Sequence, residues 1–183
     1  NWIPNQPGFN DLEGINDPMV VSIDPTNPLH AYFGSWEEGL IEIENNELIA
    51  IYNENNSTLE LGNFGGSPRV GVGGVDFDRF GNVWFTNAYS DAPLHVRLKD
   101  GEFVQMALGN ALGNTGWLGD VMAARNGYIW CVMPRGQGVL VYDTNQTPSN
   151  TQDDDWRILT SDPSKGGLPS DDIYCFEEDL DGE

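Results

Sequence analysis

Two histidines, two cysteines and 29 acidic side chains are what this 183-residue chain offers to catalysis or to metal. His30 sits beside a turn and His95 within an apolar run, and neither accompanies a nucleophile motif such as Gly-x-Ser-x-Gly. Carboxylates this numerous fall into pairs by chance, so their presence does not select paired-acid glycosidase chemistry. Asp76-Phe77-Asp78 and Asp179-Leu180-Asp181-Gly182 carry fragments of a calcium loop, without its full run of oxygen ligands or its distal Glu. Asp suits tight turns for its own reasons, so no cofactor is expected beyond the option of structural calcium. Cys131 and Cys175 lie outside any Cys-x-x-Cys or Cys/His cluster and read as two small buried hydrophobes, with a single disulfide as the other option. The glycine-rich runs 62–74 and 109–119 lack a following Gly-Lys-Ser/Thr and have no phosphate-cradling context. Asn55 and Asn56 begin overlapping N-glycosylation sequons. Recognition chemistry is better represented. Trp36, Arg69, Tyr89, Trp117 and Arg135 fall in turn-rich stretches, where flat rings and guanidinium forks serve stacking and bidentate contacts. Ordinary loop packing is the alternative for each of them.

Composition narrows the partners. Eight Lys and Arg against 29 Asp and Glu give a formal net charge of -21, which repels phosphate backbones and anionic lipid. Nucleic acid is therefore excluded as a partner. With 39% hydrophobic, 11% aromatic and 20% charged residues the chain can still bury a core, so disorder is a poor description. No run approaches the roughly 20 apolar residues of a membrane span. Residue 1 is Asn, with no basic-then-apolar leader after it, so the chain reads as soluble, already trimmed and without membrane insertion in this segment. The 22 Gly and 11 Pro, scattered throughout, suit many turns between short strands.

A repeat supplies the elements that position these residues. Val75-Asp76-Phe77-Asp78-Arg79-Phe80-Gly81-Asn82-Val83-Trp84-Phe85 aligns with Val121-Met122-Ala123-Ala124-Arg125-Asn126-Gly127-Tyr128-Ile129-Trp130-Cys131, each reading strand, glycine turn, aromatic strand. The frame begins again at Phe176-Glu177-Glu178-Asp179-Leu180-Asp181-Gly182-Glu183, and a weaker copy runs from Ile23-Asp24 through Leu29 to Tyr32-Phe33. The turn positions Leu29, Gly81, Gly127 and Gly182 recur at roughly 50-residue intervals, the length of one four-stranded propeller blade. Strands are expected at 19–24, 30–34, 39–44 and 48–52, then at 72–77, 82–86, 94–98 and 102–106. A third set is expected at 118–123, 128–132, 138–142 and 156–159, with a polar insertion over 143–155. Asn45-Asn46 and Asp100-Gly101 mark hairpin turns. The chain thus reads as all-β, a β-propeller segment of about three and a half four-stranded blades: a lead-in over 1–18, blades over 19–62, 70–108 and 117–160, and the start of another over 171–183. Ile23, Val75, Val121 and Phe176 should share one inner position, and Tyr32, Trp84 and Trp130 another between blades. The loops joining second to third strands are Ser35-Trp36-Glu37-Glu38, Asn87-Ala88-Tyr89-Ser90-Asp91 and Pro134-Arg135-Gly136-Gln137, while Phe64, Arg69 and Trp117 lie in the loops joining blades.

The frame in Gly81-Asn82-Val83-Trp84-Phe85-Thr86 and in Phe176 to Gly182, preceded by Gly167-Leu168-Pro169-Ser170-Asp171-Asp172-Ile173, resembles the two-component regulator propeller repeat. The first unit departs from it in lacking the turn glycine, and the third in lacking the acidic residue before its turn. Proteins of this kind include the periplasmic sensor regions of hybrid two-component signal-transduction systems and propellers of the type IX (Por) secretion machinery in Bacteroidetes. The resemblance implies a non-catalytic module, periplasmic or extracellular and in some cases associated with the outer membrane, that binds a glycan, a peptide or a partner protein on the loop-bearing face. On that reading Trp36, Tyr89, Arg135, Arg69 and Trp117 are the ligand-binding candidates. A propeller-fold glycosidase or lyase is the alternative, and a purely structural assembly component the third. The last unit breaks off at Gly182-Glu183, so further blades or a second copy are expected to close the arc.

Overall fold

A computed structural model describes residues 15–108, 112 and 117–179. It is a partial β-propeller. The strands are β1 (Pro18–Ile23), β2 (His30–Ser35), β3 (Gly39–Glu44), β4 (Glu47–Tyr52), β5 (Gly62–Asn63), β6 (Pro68–Arg69), β7 (Gly71–Phe77), β8 (Val83–Ala88), β9 (Leu94–Arg97), β10 (Phe103–Gln105), β11 (Val121–Ala123), β12 (Tyr128–Met133), β13 (Gly138–Asp143) and β14 (Asp155–Leu159). Three four-stranded antiparallel sheets follow one another along the chain, β1 to β4, β7 to β10 and β11 to β14, with β5 and β6 forming a short clip in the loop after the first. Each sheet is a meander, and β7 packs beside both β1 and β11, so the first strands of the units lie side by side. The turns obey their residues. Asn45 and Asn46 both take left-handed φ (53° and 65°), as a two-residue hairpin between twisted strands requires. Gly81 and Gly127, the expected turn glycines, do likewise at 86° and 94°.

Two apolar layers separate the sheets. Tyr32, Leu40, Leu59, Val70, Val72, Val75, Phe77, Val83 and Phe85 fill the space between the first and second. Trp84, Leu94, Val96, Met106, Leu118, Val121, Ile129, Cys131, Met133, Leu140 and Tyr142 are in the layer between the second and third. The second sheet, covered on both faces, is buried at every residue of β8. The alternation of the pleat explains the repeat. Ser22, Tyr32 and Glu42 lie opposite one another on the face of the first sheet that meets the second, and Trp84 on the face of the second that meets the third.

Two expectations about equivalent positions need correction. Trp130 pairs with Met122 and Val141 on the face of the third sheet turned away from the second, and is only half buried where Tyr32 and Trp84 are buried. Ile23 is 58% exposed, whereas Val75 and Val121 are buried, because its face points away from the second sheet; Met19 and Val21 share that exposure. The frame is the same in each unit, and the neighbour decides the burial. Cys175 is exposed, so the two cysteines are not both core residues.

The expected fourth start also differs. Residues 167–179 hold no strand, and Phe176 is half buried without a ladder partner. They instead tie to the third sheet, with Gly138 N–H donating to the Asp171 carbonyl at 3.0 Å and Arg125 N–H to both Glu178 carboxylate oxygens at 3.1 Å. The turn at Gly182, most of the 1–18 lead-in and part of the 109–119 run lie outside the described residues.

The second and third sheets approach closely at Gly74. A Cβ there would stand 2.6 Å from Val121 N and 2.7 Å from the Gly119 carbonyl oxygen, both backbone atoms. Asp76 bolts the same junction, accepting from Ala123 N–H at 2.8 Å and from the Ser22 hydroxyl at 3.3 Å, so that one carboxylate touches all three sheets. Gly74→Ala is expected to cost about 1–3 kcal/mol through overpacking, read as a lower denaturant midpoint; unchanged stability would mean that the second and third sheets are not this close.

Candidate functional site

The five ligand-binding candidates come together at one end of the sheets. Trp36 is in the turn after β2, Arg69 on β6, Tyr89 after β8, Trp117 ahead of β11 and Arg135 after β12. Those turns stand at the same end of three neighbouring sheets, so residues some eighty positions apart, Trp36 and Trp117, meet. The Tyr89 and Trp117 rings stack, with centroids 4.9 Å apart and planes 10° apart. Trp36 meets Trp117 edge-on at 5.8 Å. The Arg135 guanidinium lies over Trp117 at 5.9 Å, and its Nη2 reaches the Tyr89 hydroxyl at 3.5 Å. The sixth member, Phe64, belonged to the blade-joining loops in the sequence but was not among the candidates. It contacts Tyr89 at 4.7 Å and Trp36 at 5.3 Å, with the Arg69 guanidinium 5.3 Å above it.

The glycine-rich run is the seat of this cluster. A Cβ on Gly71 would lie 2.6 Å from the Phe64 ring, so the ring can rest on that backbone only if the side chain is absent. This was the sequence signal for Phe64. Arg69 is also held from below by Glu37, Nη1 to Oε1 at 2.7 Å. Tyr89 and Arg135 both adopt left-handed backbone, φ 58° and 65°, a cost that persists where the surroundings fix the turn. All four rings are half buried and Arg135 is exposed, so the cluster presents edges and one cation to solvent. Edge and stacked ring pairs contribute about 0.5–1.5 kcal/mol each beyond burial. The assembly is therefore a firm platform.

A second constellation lies at the far end of the same strands, where the sequence showed only a lone histidine. His30 Nδ1 meets Asp24 Oδ2 at 3.1 Å and Nε2 meets Glu42 Oε1 at 2.9 Å, so the ring bridges two carboxylates as an imidazolium with both N–H groups donating. Glu42 also accepts from the Tyr52 hydroxyl at 2.5 Å and lies 3.8 Å from Arg97 Nη2. Burial opposes the Glu42 charge, but the hydrogen bonds led by that from Tyr52, together with Arg97, outweigh it and hold the carboxyl below its ordinary range. For His30, burial lowers the pKa and the bonds to Asp24 and Glu42 raise it further than burial lowers it. The network tethers the first sheet to the second.

His95 is the opposite case. It is fully buried and stacked on Phe85 at 5.4 Å; Nε2–H donates to the Ala92 carbonyl at 2.6 Å, and Nδ1 accepts from the Thr58 hydroxyl at 2.9 Å. Burial pushes its pKa down to about 4, against a smaller upward pull from Ala92. Its neutral form clasps the loop that follows β4. Among the described residues, no group of three or more His, Cys, Asp or Glu is arranged to hold a metal ion.

The two histidines make a clean pH test. His95, neutral in the fold, contributes stability that is present above pH 6.5 and lost as pH falls toward 4, on the order of 3 kcal/mol. His30, charged in the fold, contributes stability that is present below 6.5 and lost as pH rises through its higher folded value. With two histidines in the chain, an NMR titration should show one imidazole moving near pH 4 and the other above 6.5. Two titrations near 6.5 would contradict both environments.

Solved structures share this fold. PorZ, an essential bacterial surface component of the type-IX secretion system of Porphyromonas gingivalis, superposes with a TM-score of 0.73 at 22% identity, over 90% of this chain and 23% of its own. The extracellular domain of a hybrid two-component system from B. thetaiotaomicron does so at 0.61 and 20%, over 91% of this chain and 20% of its own. No protein-family model and no curated protein matches the chain. The present chain spans less than a quarter of either neighbour. Both neighbours come from the two groups that the sequence resembles, and at these identities what they share with this chain is the propeller architecture.

Proposed function

We propose that this chain is part of an extracytoplasmic β-propeller that binds a glycan, a peptide or a protein, without catalysis, on the surface built by Trp36, Phe64, Arg69, Tyr89, Trp117 and Arg135. The observation that carries the reading is the convergence of six non-repeating aromatic and Arg side chains from the loops of three sheets onto one end of the fold. Packing asks for the same kind of side chain at the same place in each unit, as with the rings of Tyr32 and Trp84, whereas the cluster's side chains have no such counterparts. Arg69 is paired with Glu37, which leaves Arg135 as the cation this end presents to an acidic or hydroxyl-rich ligand. The extracytoplasmic location is supported by the setting of both structural neighbours, a surface component and an extracellular domain.

The outward face of the first sheet, with Met19, Val21 and Ile23 exposed, receives a further sheet of the same kind or a second copy. Val75 and Val121, in the place of Ile23, are each buried against a preceding sheet. Arrays of glycans and peptides probed with the protein, followed by tryptophan-fluorescence titration of each hit, test the binding surface. Arg135→Ala should weaken binding about 5- to 30-fold with the melting temperature little changed, and Trp117→Ala should weaken it as much while lowering the melting temperature through its two lost ring pairs. Ligands bound with equal affinity by both variants would place recognition elsewhere.

A further inference from the structure

A cavity of about 260 Å³ opens between the first and second sheets, at the ends of β2 and β9 opposite to the loops carrying Trp36 and Tyr89. Its lining gathers Arg79, Arg97, Lys99 and His30, that is, three of the chain's eight Lys and Arg and one of its two His. So dense a group of cations is unexpected in a protein of net charge -21. Two carboxylates line the cavity as well, but both are saturated by the protein. Asp24 accepts from Thr26 N–H and its hydroxyl, each at 2.7 Å, from Asn27 N–H and from His30. Asp78 accepts from Phe80 N–H, Asn82 N–H, the Asn82 amide and the Trp84 indole, at 2.8 to 3.2 Å.

The cations are not used up in the same way. Among the described residues the Lys99 ammonium has no hydrogen-bond or ion-pair partner, its stem lying against Gly81. Arg79 donates through Nη1 to the Arg125 carbonyl at 3.2 Å and lies over the Phe80 ring at 4.7 Å. Arg97 is wedged among the rings of Tyr32, Tyr52 and Phe103, 5.4 to 5.8 Å from their centres, with its Nε buried and unpartnered and its nearest carboxylate 3.8 Å away. Its carboxylate contact, to Glu42, is long, and its Nε is a donor left without a partner. Phe77, Phe80, Val83 and the Tyr32 ring give the wall its apolar part. Concave, part apolar and closed by a few convergent charges is the make-up of a small-molecule site.

We infer that this cavity is an anion-binding pocket, separate from the aromatic cluster, that takes a small molecule whose carboxylate or phosphate meets Arg97, Lys99 and Arg79 while a ring-sized body lies against Phe77 and Phe80. The two carboxylates inside already accept several bonds each, while among the described residues the Lys99 ammonium and the Arg97 Nε donate none, so an oxyanion gains charge-assisted bonds there.

The probes are benzoate and phenyl phosphate, with benzamide as the neutral control, titrated into the protein while the Lys99 and Arg97 side-chain NMR signals are followed. Saturable shifts for either anion and none for benzamide are expected, the stronger of the two anions assigning the headgroup. Arg97 holds rings together, so the variant is Lys99→Gln with Arg79→Gln, two exposed residues. It should weaken anion binding at least about tenfold with an unchanged melting temperature, whereas Trp117→Ala should leave it intact. Absence of saturable shifts with both anions, equal binding of benzamide, or affinity unaltered in the double variant overturns the assignment.

Discussion

A four-stranded sheet has two faces, and in this molecule each is dried mainly by the sheet beside it. That constraint organises everything else. It requires small residues where backbones approach, as at Gly74, and one large ring per unit to fill the wedge, as at Tyr32 and Trp84. It also makes burial a property of position in the array. The second sheet, lying between two others, is sealed; the first and third each carry a less covered face, where Ile23 and Trp130 sit in frames identical to those of buried residues.

The same stacking creates the two constellations. Antiparallel meanders of equal phase put every second-to-third turn at one end and every first-to-second turn at the other. Side chains from separate units therefore meet at the ends without any sequence proximity. At one end the meeting produces a platform of rings with guanidiniums above it, seated on glycine backbone. At the other it produces a polar seam, where His30, Glu42 and Arg97 bind the first sheet to the second and unclaimed cations face a cavity. The ring cluster lies on the turns, which packing leaves free to vary, whereas the polar seam occupies strand ends and the face between two sheets.

How much of this was legible in the sequence follows from the same division. The strand frame was readable because the glycine turns and the aromatic three residues later recur, and recurrence is what packing imposes. Strand ends moved by a residue or two, and by three at β11, where the glycine-rich run reads as an extended strand but pairs only from Val121. The loop candidates were legible as non-repeating aromatics and arginines; their convergence was not, because it depends on the phase between sheets. Phe64 is legible as a blade-joining loop residue but not as a member of the cluster, although the glycines around it are what such a ring needs for a seat. His30 looked solitary since its partners, Asp24 and Glu42, are joined to it only by the register of β2 against β3 and by the turn that leads into β2. The burial of Ile23 and Trp130 is not legible for a single reason: sequence shows the frame but not whether a neighbouring sheet is present.

The most direct test of the central claim is a set of ring-to-ring nuclear Overhauser contacts in the protein in solution. Sheets stacked in this phase predict cross-peaks from the Trp117 indole to the Tyr89 ring and to the Trp36 indole, rings contributed by three different units. If each of these rings instead shows contacts only within its own unit, the sheets are not arranged about a common axis in this way, and the surface assigned to recognition does not exist.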